Sequence, residues 1–381
     1  MTFKRHRLVQ RRESRGFTQE SLAERLGVDR STIARWENGR GPQPWMRPNL
    51  ARALGLSREE LDTLLRDFSD CGRPPVIGSL AHGDPATGTA LRADLMDVAE
   101  RYDNSPSAGL LADAGQLLTR VTMGADQARV GRAQRELRSL QAEAATLMGQ
   151  LVWDASQRSD HTTAHTYYAQ GIDLARHLHD RTLEGRALLR TGYLALYGTC
   201  QPQEGLDYSL RAAEAAKTTS PALLAVALLH IGEAHAMLGH ASDCERALAR
   251  AERHLDRVTT VDAAADLVSP TQFGRLAGSC YLNLGQNRRA QQQLESTAEQ
   301  LPARRKSRTI VLGNLTLALI RQGELDNAVS VLGQAIDELE QTRGGGGINV
   351  IFAAGRELRP WHRRVDVQDV QDRLFTLMTA T

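Results

Sequence analysis

The chain has 381 residues, more than one ordinary domain holds, and aromatic residues make up only 4% of it, while Ala, Leu and Arg are abundant and favour helix. Its four cysteines, Cys71, Cys200, Cys244 and Cys280, are widely spaced and form no Cys-x-x-Cys pair, which argues against a zinc site or a disulfide framework. No apolar run reaches membrane-spanning length, and the first residues, MTFKRHRLVQRRE, have no apolar signal core. We therefore expect a reduced, cytoplasmic protein that has no membrane partner.

The net charge of +2 hides an asymmetry along the chain. Residues 1–66 contain 14 Lys and Arg against 8 Asp and Glu, a charge of +6, so the remaining residues sum to −4. A basic head on a mildly acidic body is typical of a DNA-binding module joined to a sensory or assembly domain. The arginines of the first helix are expected to be solvated or near phosphate: Arg5, Arg7, Arg11 and Arg15.

A tight pair of helices is predicted after a first helix over Lys4–Ser14. The first of the pair runs from about Thr18 to Leu26, because the Thr18 hydroxyl can accept a hydrogen bond from a free N–H group of the first turn. Gly27 ends this helix where a left-handed conformation is easily adopted, and Asp29 caps the next one.

The second helix of the pair presents two different faces. Ile33 and Trp36 point inward at i, i+3 spacing. The residues left facing outward are Arg30, Ser31, Thr32 and Arg35. An exposed N-terminal face that carries Arg, Ser and Thr suits base edges and phosphates in a DNA major groove.

A Pro-broken loop, Arg40–Pro48, follows this pair, and helices at about Asn49–Leu54 and Arg58–Phe68 come next. Arg40 and Arg47 in the loop are candidate phosphate contacts, which position a protein on DNA without reading sequence. Plain surface charge is the alternative explanation for both.

Several residues and short runs in this part of the chain match a known sequence pattern. They are Arg12, Thr18–Gln19, Ser21–Ala23, Leu26–Val28, the W-E-N-G run Trp36–Gly39 and Ala53–Leu56. On these residues the segment Arg5–Leu65 resembles the phage-repressor-type helix-turn-helix of the XRE family. The resemblance implies an ion pair between Arg12 and Glu37.

The resemblance also implies DNA contacts. Gln19, which opens the second helix, would contact the DNA backbone. Arg30, Ser31 and Arg35 would read bases from the first turns of the recognition helix. The family often has Gln where this chain has Arg30 and Arg35, and Arg prefers guanine O6 and N7, so the operator should be rich in G·C pairs.

Residues 69–90 have lost helical periodicity and are rich in Gly, Pro, Ser and Thr, which predicts a flexible linker between a head of residues 1–68 and a body of residues 91–381. Within the body, Leu91–Ala145 should add three helices, Gly344–Gly347 a flexible loop, and Val350–Thr381 a capping helix pair.

Five segments of the body share a spacing: a small residue, usually an apolar residue four positions later, and usually a small one three beyond. They are Ala164–Tyr168–Gly171, Gly205–Ser209–Ala212, Cys244–Leu248–Ala251, Ala290–Leu294–Thr297 and Ala328–Leu332–Ala335. Small residues at these positions allow two helices to cross closely. Together with the Y-L-N-L-G-Q run Tyr281–Gln286 and the run Ala318–Ala328, these segments resemble tetratricopeptide repeats. Their spacings of 41, 39, 46 and 38 residues are longer than the roughly 34 of the standard repeat.

The first helix of each pair lines the concave face of such an array. The inward positions in this register are Trp153, Arg190, Tyr197, Glu233, Gln272, Arg275, Asn283 and Arg321. Arg190, Arg275 and Arg321 could hold a carboxylate, and Asn283 could pair with a peptide backbone. This predicts a pocket for a peptide or a small acid; the alternative is the polar inner face that any superhelix has.

No motif for catalysis is present, because the chain has no G-x-S-x-G and the Gly344–Gly347 run lacks the Lys-Ser/Thr of a phosphate loop. His161 and His165 have the i, i+4 spacing of a metal pair, but no third ligand is evident. We expect neither an enzyme nor a cofactor nor a metal site.

These patterns predict an all-α protein with a small five-helix helix-turn-helix domain and a tetratricopeptide-like superhelical array. The layout resembles actinobacterial XRE regulators that carry such repeats. It implies a homodimeric transcription regulator that binds a double-stranded DNA operator, under the control of a small-molecule or peptide effector. The alternative, from another class, is a scaffold whose repeats recruit a partner protein and for which DNA binding only sets the location.

Overall fold

The structure is a computed structural model that describes residues 8, 9, 11, 12, 15, 17–37, 42, 46–56, 61, 85–301 and 305–379. These residues form helices and turns and include no strand, so the all-α prediction is confirmed. The chain divides into two compact units, residues 1–81 and residues 82–381. Within the described ranges, no helix combines the length and the apolar character that crossing a membrane requires.

The helices described in full in the N-terminal unit are α1 (Gln19–Leu26), α2 (Arg30–Glu37) and α3 (Arg47–Leu54). The start of α1 is the predicted one, because the Thr18 hydroxyl accepts a hydrogen bond from the Ser21 N–H at 3.1 Å. In return, the Ser21 hydroxyl accepts one from the Thr18 N–H at 2.8 Å. The end is also as predicted, at Gly27, whose φ of +66° lies in the left-handed region.

The apolar faces of these helices meet in one small core. Its members include Leu22, Ile33, Trp36, Leu50 and Leu54, all of them buried. Trp36 is therefore a core residue, as its inward spacing predicts.

Two arginines that the sequence places in solvent or near phosphate instead bind the end of α3. Arg11 donates to the Leu54 carbonyl at 3.1 Å and to the Gly55 carbonyl at 2.8 Å. Arg15 donates to the same two carbonyls at 3.0 and 3.1 Å. Carbonyls at a helix C-terminus have no N–H partner within the helix, so the two guanidinium groups cap α3.

The second unit is an array of helices. They are α4 (Pro85–Arg101), α5 (Ser107–Gln127), α6 (Arg132–Ala155), α7 (His161–His177), α8 (Arg181–Tyr193), α9 (Pro202–Ala216), α10 (Pro221–Met237), α11 (Ala241–Leu255), α12 (Gln272–Asn283), α13 (Asn287–Glu299), α14 (Arg305–Gln322), α15 (Leu325–Thr342), α16 (Gly345–Glu357) and α17 (Val365–Thr379). A π-helical turn, Leu194–Gly198, extends α8. The five pairs from α6–α7 to α14–α15 follow the order that the repeated spacing predicts.

The array begins earlier than the composition suggests. The first turn of α4 starts at Pro85, so residues 85–90, predicted as linker, are helical. Two helices, α4 and α5, precede the first pair instead of three, because α6 is already the first member of that pair.

The small residues of the repeated spacing lie where the helices of a pair cross. All three positions of every segment are buried, and Ala164, Ala290 and Ala328 have no exposed surface. A Cβ on Gly278 of α12 would lie 2.6 Å from Leu294 of α13. The two helices of this pair therefore approach too closely for a larger side chain.

The glycine run at residues 344–347 is not the flexible loop that its composition suggests. Gly345, Gly346 and Gly347 are buried and form the first turn of α16. A Cβ on Gly345 would lie 2.9 Å from the Asp154 carbonyl oxygen and 3.0 Å from the Gln157 Cα. The start of α16 therefore packs backbone against backbone on the end of α6, which only glycine allows.

A buried carboxylate holds this contact. Asp154 accepts hydrogen bonds from the Gly345 N–H at 2.9 Å and from the Ser107 hydroxyl at 2.7 Å, and it lies 3.0 Å from Lys306 Nζ. The exposed fractions of the Asp154 and Lys306 side chains are only 4% and 5%. The Lys306 N–H also donates to the Asp103 carbonyl at 3.1 Å. The last helices of the array thus return to the first ones.

We expect Gly345→Ala to lower the free energy of unfolding of the array by roughly 1–3 kcal/mol, because the added Cβ meets backbone atoms that cannot move aside. Denaturant titration followed by circular dichroism measures the change. Gly333→Ala, inside α15, is the matched control, since its Cβ would meet only the far end of Arg373 at 4.0 Å. Alanine there should stabilise the array by about 0.5–1 kcal/mol. Equal effects of the two substitutions would contradict the close packing of α16 on α6.

Candidate functional site

A buried ion pair joins the segment before α1 to the end of α2. Arg12 Nε lies 2.7 Å from Glu37 Oε1, and the exposed fractions of the two residues are only 6% and 1%. Arg12 also donates to the Phe17 carbonyl at 2.7 Å, and the Gln19 side-chain amide donates to Glu37 Oε2 at 2.5 Å. Glu37 is therefore bound on both oxygens, and the ion pair that the resemblance implied is present.

The outward face of α2 carries the residues expected to read bases. Arg30 and Ser31 are exposed, and Arg30 Nε lies 2.7 Å from the carboxylate of Glu20 on α1. Arg35 is exposed too, and it donates to the carbonyl and to the hydroxyl of Ser31, both at 3.2 Å. Thr32, the fourth candidate, is half-buried. Ser31 and Arg35 thus form one exposed polar surface on adjacent turns of the helix.

The other candidate DNA contacts have different surroundings. Gln19 is half-buried beside Glu37, so part of its amide is engaged within the protein. Arg47 is half-buried at the start of α3 and donates to the Pro42 carbonyl at 3.4 Å. Arg40 lies outside the described residues, as does the predicted helix Arg58–Phe68 apart from Leu61.

Comparison with known families identifies this part of the chain. Residues 5–64 match the family model of a helix-turn-helix domain. This segment is a helix-turn-helix domain. A search among curated proteins finds no match to the chain. The helix-turn-helix domain indicates a DNA-binding regulator, and α2 is its second helix.

A second candidate site lies in the array, where the first helices of successive pairs come together. We call it the first-helix cluster. It consists of Trp153 at the end of α6, Arg158 in the loop that follows, Arg190 and Tyr193 at the end of α8, Tyr197 in the π-helical turn, His230 and Glu233 of α10, and Arg275 and Ser279 of α12.

Cationic and aromatic groups alternate in this cluster. The Arg158 guanidinium carbon lies 4.6 Å from the centre of the Trp153 ring and 5.6 Å from that of Tyr197. Arg190 lies 5.3 Å from the centre of the Tyr193 ring. Such distances allow a guanidinium to be attracted by the ring face.

Glu233 is the buried carboxylate of the cluster. It accepts hydrogen bonds from the Tyr197 hydroxyl and, at 2.6 Å, from the Ser279 hydroxyl, and His230 Nδ1 lies 3.3 Å from it. Burial raises the pKa of Glu233, but the hydrogen bonds from His230, Ser279 and Tyr197 outweigh it and hold the pKa below its usual value. Burial lowers the pKa of His230, and its contact with Glu233 counteracts that effect.

The π-helical turn Leu194–Gly198 places Tyr197 in the cluster, and such turns are frequent at functional sites. A Cβ on Gly198 would lie 2.7 Å from His161 Nε2 and 3.3 Å from the Trp153 ring. His161 therefore borders the cluster, whereas His165 is exposed.

One other group of the described residues has the atoms for a metal ion. The candidate ligand atoms of His235, His240 and Asp243 lie within 4.8 Å of one another. Arg246, however, already donates to Asp243, so this carboxylate has a cationic partner from the protein itself.

Six of the eight positions predicted to face the groove lie in or beside the first-helix cluster. Five of them are members of the cluster. The sixth, Gln272, lies beside it, because it accepts a hydrogen bond from Arg275 at 3.0 Å. The other two positions, Asn283 and Arg321, lie outside it. Asn283 is exposed at the end of α12, and Arg321 pairs with Glu357 of α16 at 2.7 Å. The register assigns both residues inward, but the helix α16 that follows the last pair supplies a partner for Arg321.

Four members of the cluster are absent from the predicted set: Arg158, Tyr193, His230 and Ser279. Ser279 lies one helical turn after Arg275 on α12. Tyr193 and His230 lie on the same helical faces as Tyr197 and Glu233, about one turn earlier, so helical periodicity could have found them. Arg158 lies in a loop with a φ of +63°, and no periodic pattern marks such a position.

We expect Glu37→Ala to destabilise the helix-turn-helix domain by about 3–5 kcal/mol, because it leaves the buried Arg12 guanidinium without its carboxylate. Hydrogen exchange of the full chain, followed over α1 and α2, measures the loss of protection. Glu20→Ala is the control, because Glu20 is exposed in its pair with Arg30, and it should leave the exchange unchanged. Equal exchange in the two variants would show that the buried pair does not hold the domain together.

Proposed function

We propose that the chain is a sequence-specific transcription regulator of the XRE type, which binds a double-stranded DNA operator through α2. The observation that carries the proposal is the position of Ser31 and Arg35 on the exposed face of α2 within a helix-turn-helix domain. The opposite face of that helix is anchored by Ile33, Trp36 and the Arg12–Glu37 pair. A rigid helix with an exposed polar face is what major-groove readout requires.

In the free protein, the arginines that DNA would bind already have partners within the protein, but these contacts are weak. The Arg30–Glu20 pair leaves 66% and 60% of the two side chains exposed, and exposed pairs of this kind contribute little stability. Arg35 is held along its own helix by Ser31. DNA would replace Glu20 as the partner of Arg30 and Ser31 as the partner of Arg35, at small loss of protein stability.

The remaining candidates have positioning roles in this proposal. Gln19 keeps one amide N–H on Glu37 and offers the other to a phosphate, while Thr32, Arg40 and Arg47 add contacts that carry no sequence information.

The proposal includes a homodimer that acts in the cytoplasm, at the nucleoid when bound to DNA. A single small helix-turn-helix domain makes few contacts with DNA. Two of them on half-sites one helical turn apart, about 34–36 Å, provide the affinity and selectivity of a regulator.

An effector, a small molecule or a peptide, would bind the tetratricopeptide-like array at the first-helix cluster. The support is chemical: arginines, tyrosines and a carboxylate converge there from α6, α8, α10 and α12. A scaffold that recruits a partner protein would be expected to expose a contiguous apolar stripe, so the polar character of this cluster favours an effector. No catalytic step is part of the proposal.

Selection of duplexes from a random library by the full chain tests DNA recognition directly. We expect enrichment of a G·C-containing palindrome, with binding that weakens steeply as salt rises. Arg35→Ala should cost roughly 1–3 kcal/mol of binding to the selected duplex and relax the preference at one base pair.

Arg132→Ala is the matched control for charge, because Arg132 is 93% exposed on α6 of the array, and it should leave binding unchanged. A loss that is equal for every duplex would assign Arg35 to a phosphate instead of a base. A full chain that enriches no sequence would contradict the regulator and support the scaffold.

A further inference from the structure

Within the part of the chain that the structure describes, four buried polar atoms in or beside the first-helix cluster have no hydrogen-bond partner. They are Trp153 Nε1, Arg158 Nε, His161 Nε2 and His230 Nε2. Trp153 and His230 are 96% and 98% buried as whole residues, since only 4% and 2% of their surface is exposed. Buried polar groups in native proteins nearly always have a partner, and an unpaired one costs its full desolvation energy. A bound water, ion or ligand would supply the missing partners of these atoms.

The arginines of the cluster are also without acidic partners. Elsewhere in the array, half-buried arginines bind carboxylates, as Arg308 binds Glu338 and Arg138 binds Asp126. Arg158 and Arg190 contact aromatic rings, and Arg275 contacts the neutral amide of Gln272. None of these three forms an ion pair with a carboxylate of the residues that the structure describes.

Glu233 does not balance these three cations. Its oxygens accept hydrogen bonds from Tyr197 and Ser279, and His230 contacts it as a third polar neighbour. The cluster therefore has three arginines against the single carboxylate of Glu233. An anion would supply the missing charge and would accept hydrogen bonds from donors such as Trp153 Nε1 and Arg158 Nε.

The walls of the cluster are flat. Tyr193 and Tyr197 are half-buried and provide two aromatic surfaces, and their ring centres lie 5.8 Å apart. Aromatic side chains stack well on another flat ring, at centre-to-centre distances of about 4.5–7 Å. The ligand that uses these walls therefore has a planar ring.

The closure of the array limits the length of the ligand. The start of α16 packs on the segment Asp154–Arg158, and Gly346 lies against the Arg158 guanidinium. An extended peptide would need a groove that continues along the first helices past this point, and α16 covers that end. The contact favours a small molecule over a peptide.

We infer that the first-helix cluster binds a small organic anion, a carboxylate or a phosphate attached to a planar ring, between Arg158, Arg190 and Arg275. The inference rests on the proposed regulator, whose effector this molecule would be.

Thermal unfolding of the full chain tests the site without DNA. The probes are benzoate and phenyl phosphate, compared at equal ionic strength with acetate and inorganic phosphate, which lack the ring, and with benzamide, which lacks the charge. A fragment with a Kd of about 5 mM should raise the Tm of the array by roughly 2 °C at about 20 mM. We expect such a rise with benzoate or phenyl phosphate and a clearly smaller one with the three other compounds. The larger of the two rises identifies the preferred anionic group.

Arg190→Met and Arg275→Met should each abolish the rise, and either variant suffices if the other does not fold. Without a probe their Tm should equal or exceed that of the unchanged protein, because one of three mutually repelling cations is removed. Arg211→Met is the matched control, since Arg211 stacks on Tyr208 at 5.2 Å, as Arg190 does on Tyr193, but it lies on the second helix of the pair. It should keep the full rise.

Three results would overturn the inference: no rise with either ring-bearing anion, an equal rise with benzamide or with the ringless anions, or a rise that survives both Met substitutions. Because these measurements contain no DNA, they stand apart from the duplex selection. A chain that binds benzoate at the cluster but enriches no duplex would contradict the regulator alone, and the reverse pattern would contradict the anion site alone.

Discussion

The arrangement of the array depends on the buried carboxylate of Asp154. Burying a carboxylate costs several kcal/mol unless its oxygens are paired, so the groups that pair it must come to one place. Here they come from three other helices: Ser107 at the start of α5, Lys306 in α14 and the Gly345 N–H of α16. Burial lowers the pKa of Lys306, and the Asp154 carboxylate counteracts that effect. In a row of helix pairs whose two ends did not meet, these groups would lie far apart and could not pair with Asp154.

The helix-turn-helix domain follows the same rule on a smaller scale. Arg12 and Glu37 are buried together, Arg12 also donates to the Phe17 carbonyl, and the Gln19 amide donates to Glu37. This buried pair holds the end of α2 against the segment before α1. The arginines of the exposed α2 face have only weak, solvated partners, and for that reason they remain available to DNA.

The first-helix cluster combines burial with incomplete pairing. One end of the cluster is formed by the segment from Trp153 to Arg158. This segment also contains Asp154 and packs against the glycines of α16. The site and the closure of the array therefore share one short stretch of backbone. A molecule held by Arg158 would contact the part of the array where its two ends meet.

The sequence by itself determined the helices, the buried anchor positions of each pair and most residues of both candidate sites. These features repeat within one or two helical turns, so the residue spacing is enough to predict them, as Ala164 and Ala290 illustrate. Tertiary structure alone decided that Gly344–Gly347 starts a buried helix, that Arg321 is paired, and that Arg158 joins the cluster. Each of these depends on residues far apart in the chain, such as Ser107 and Lys306, and no local period relates such pairs. Their partners are set only when the last helices of the array pack against the first.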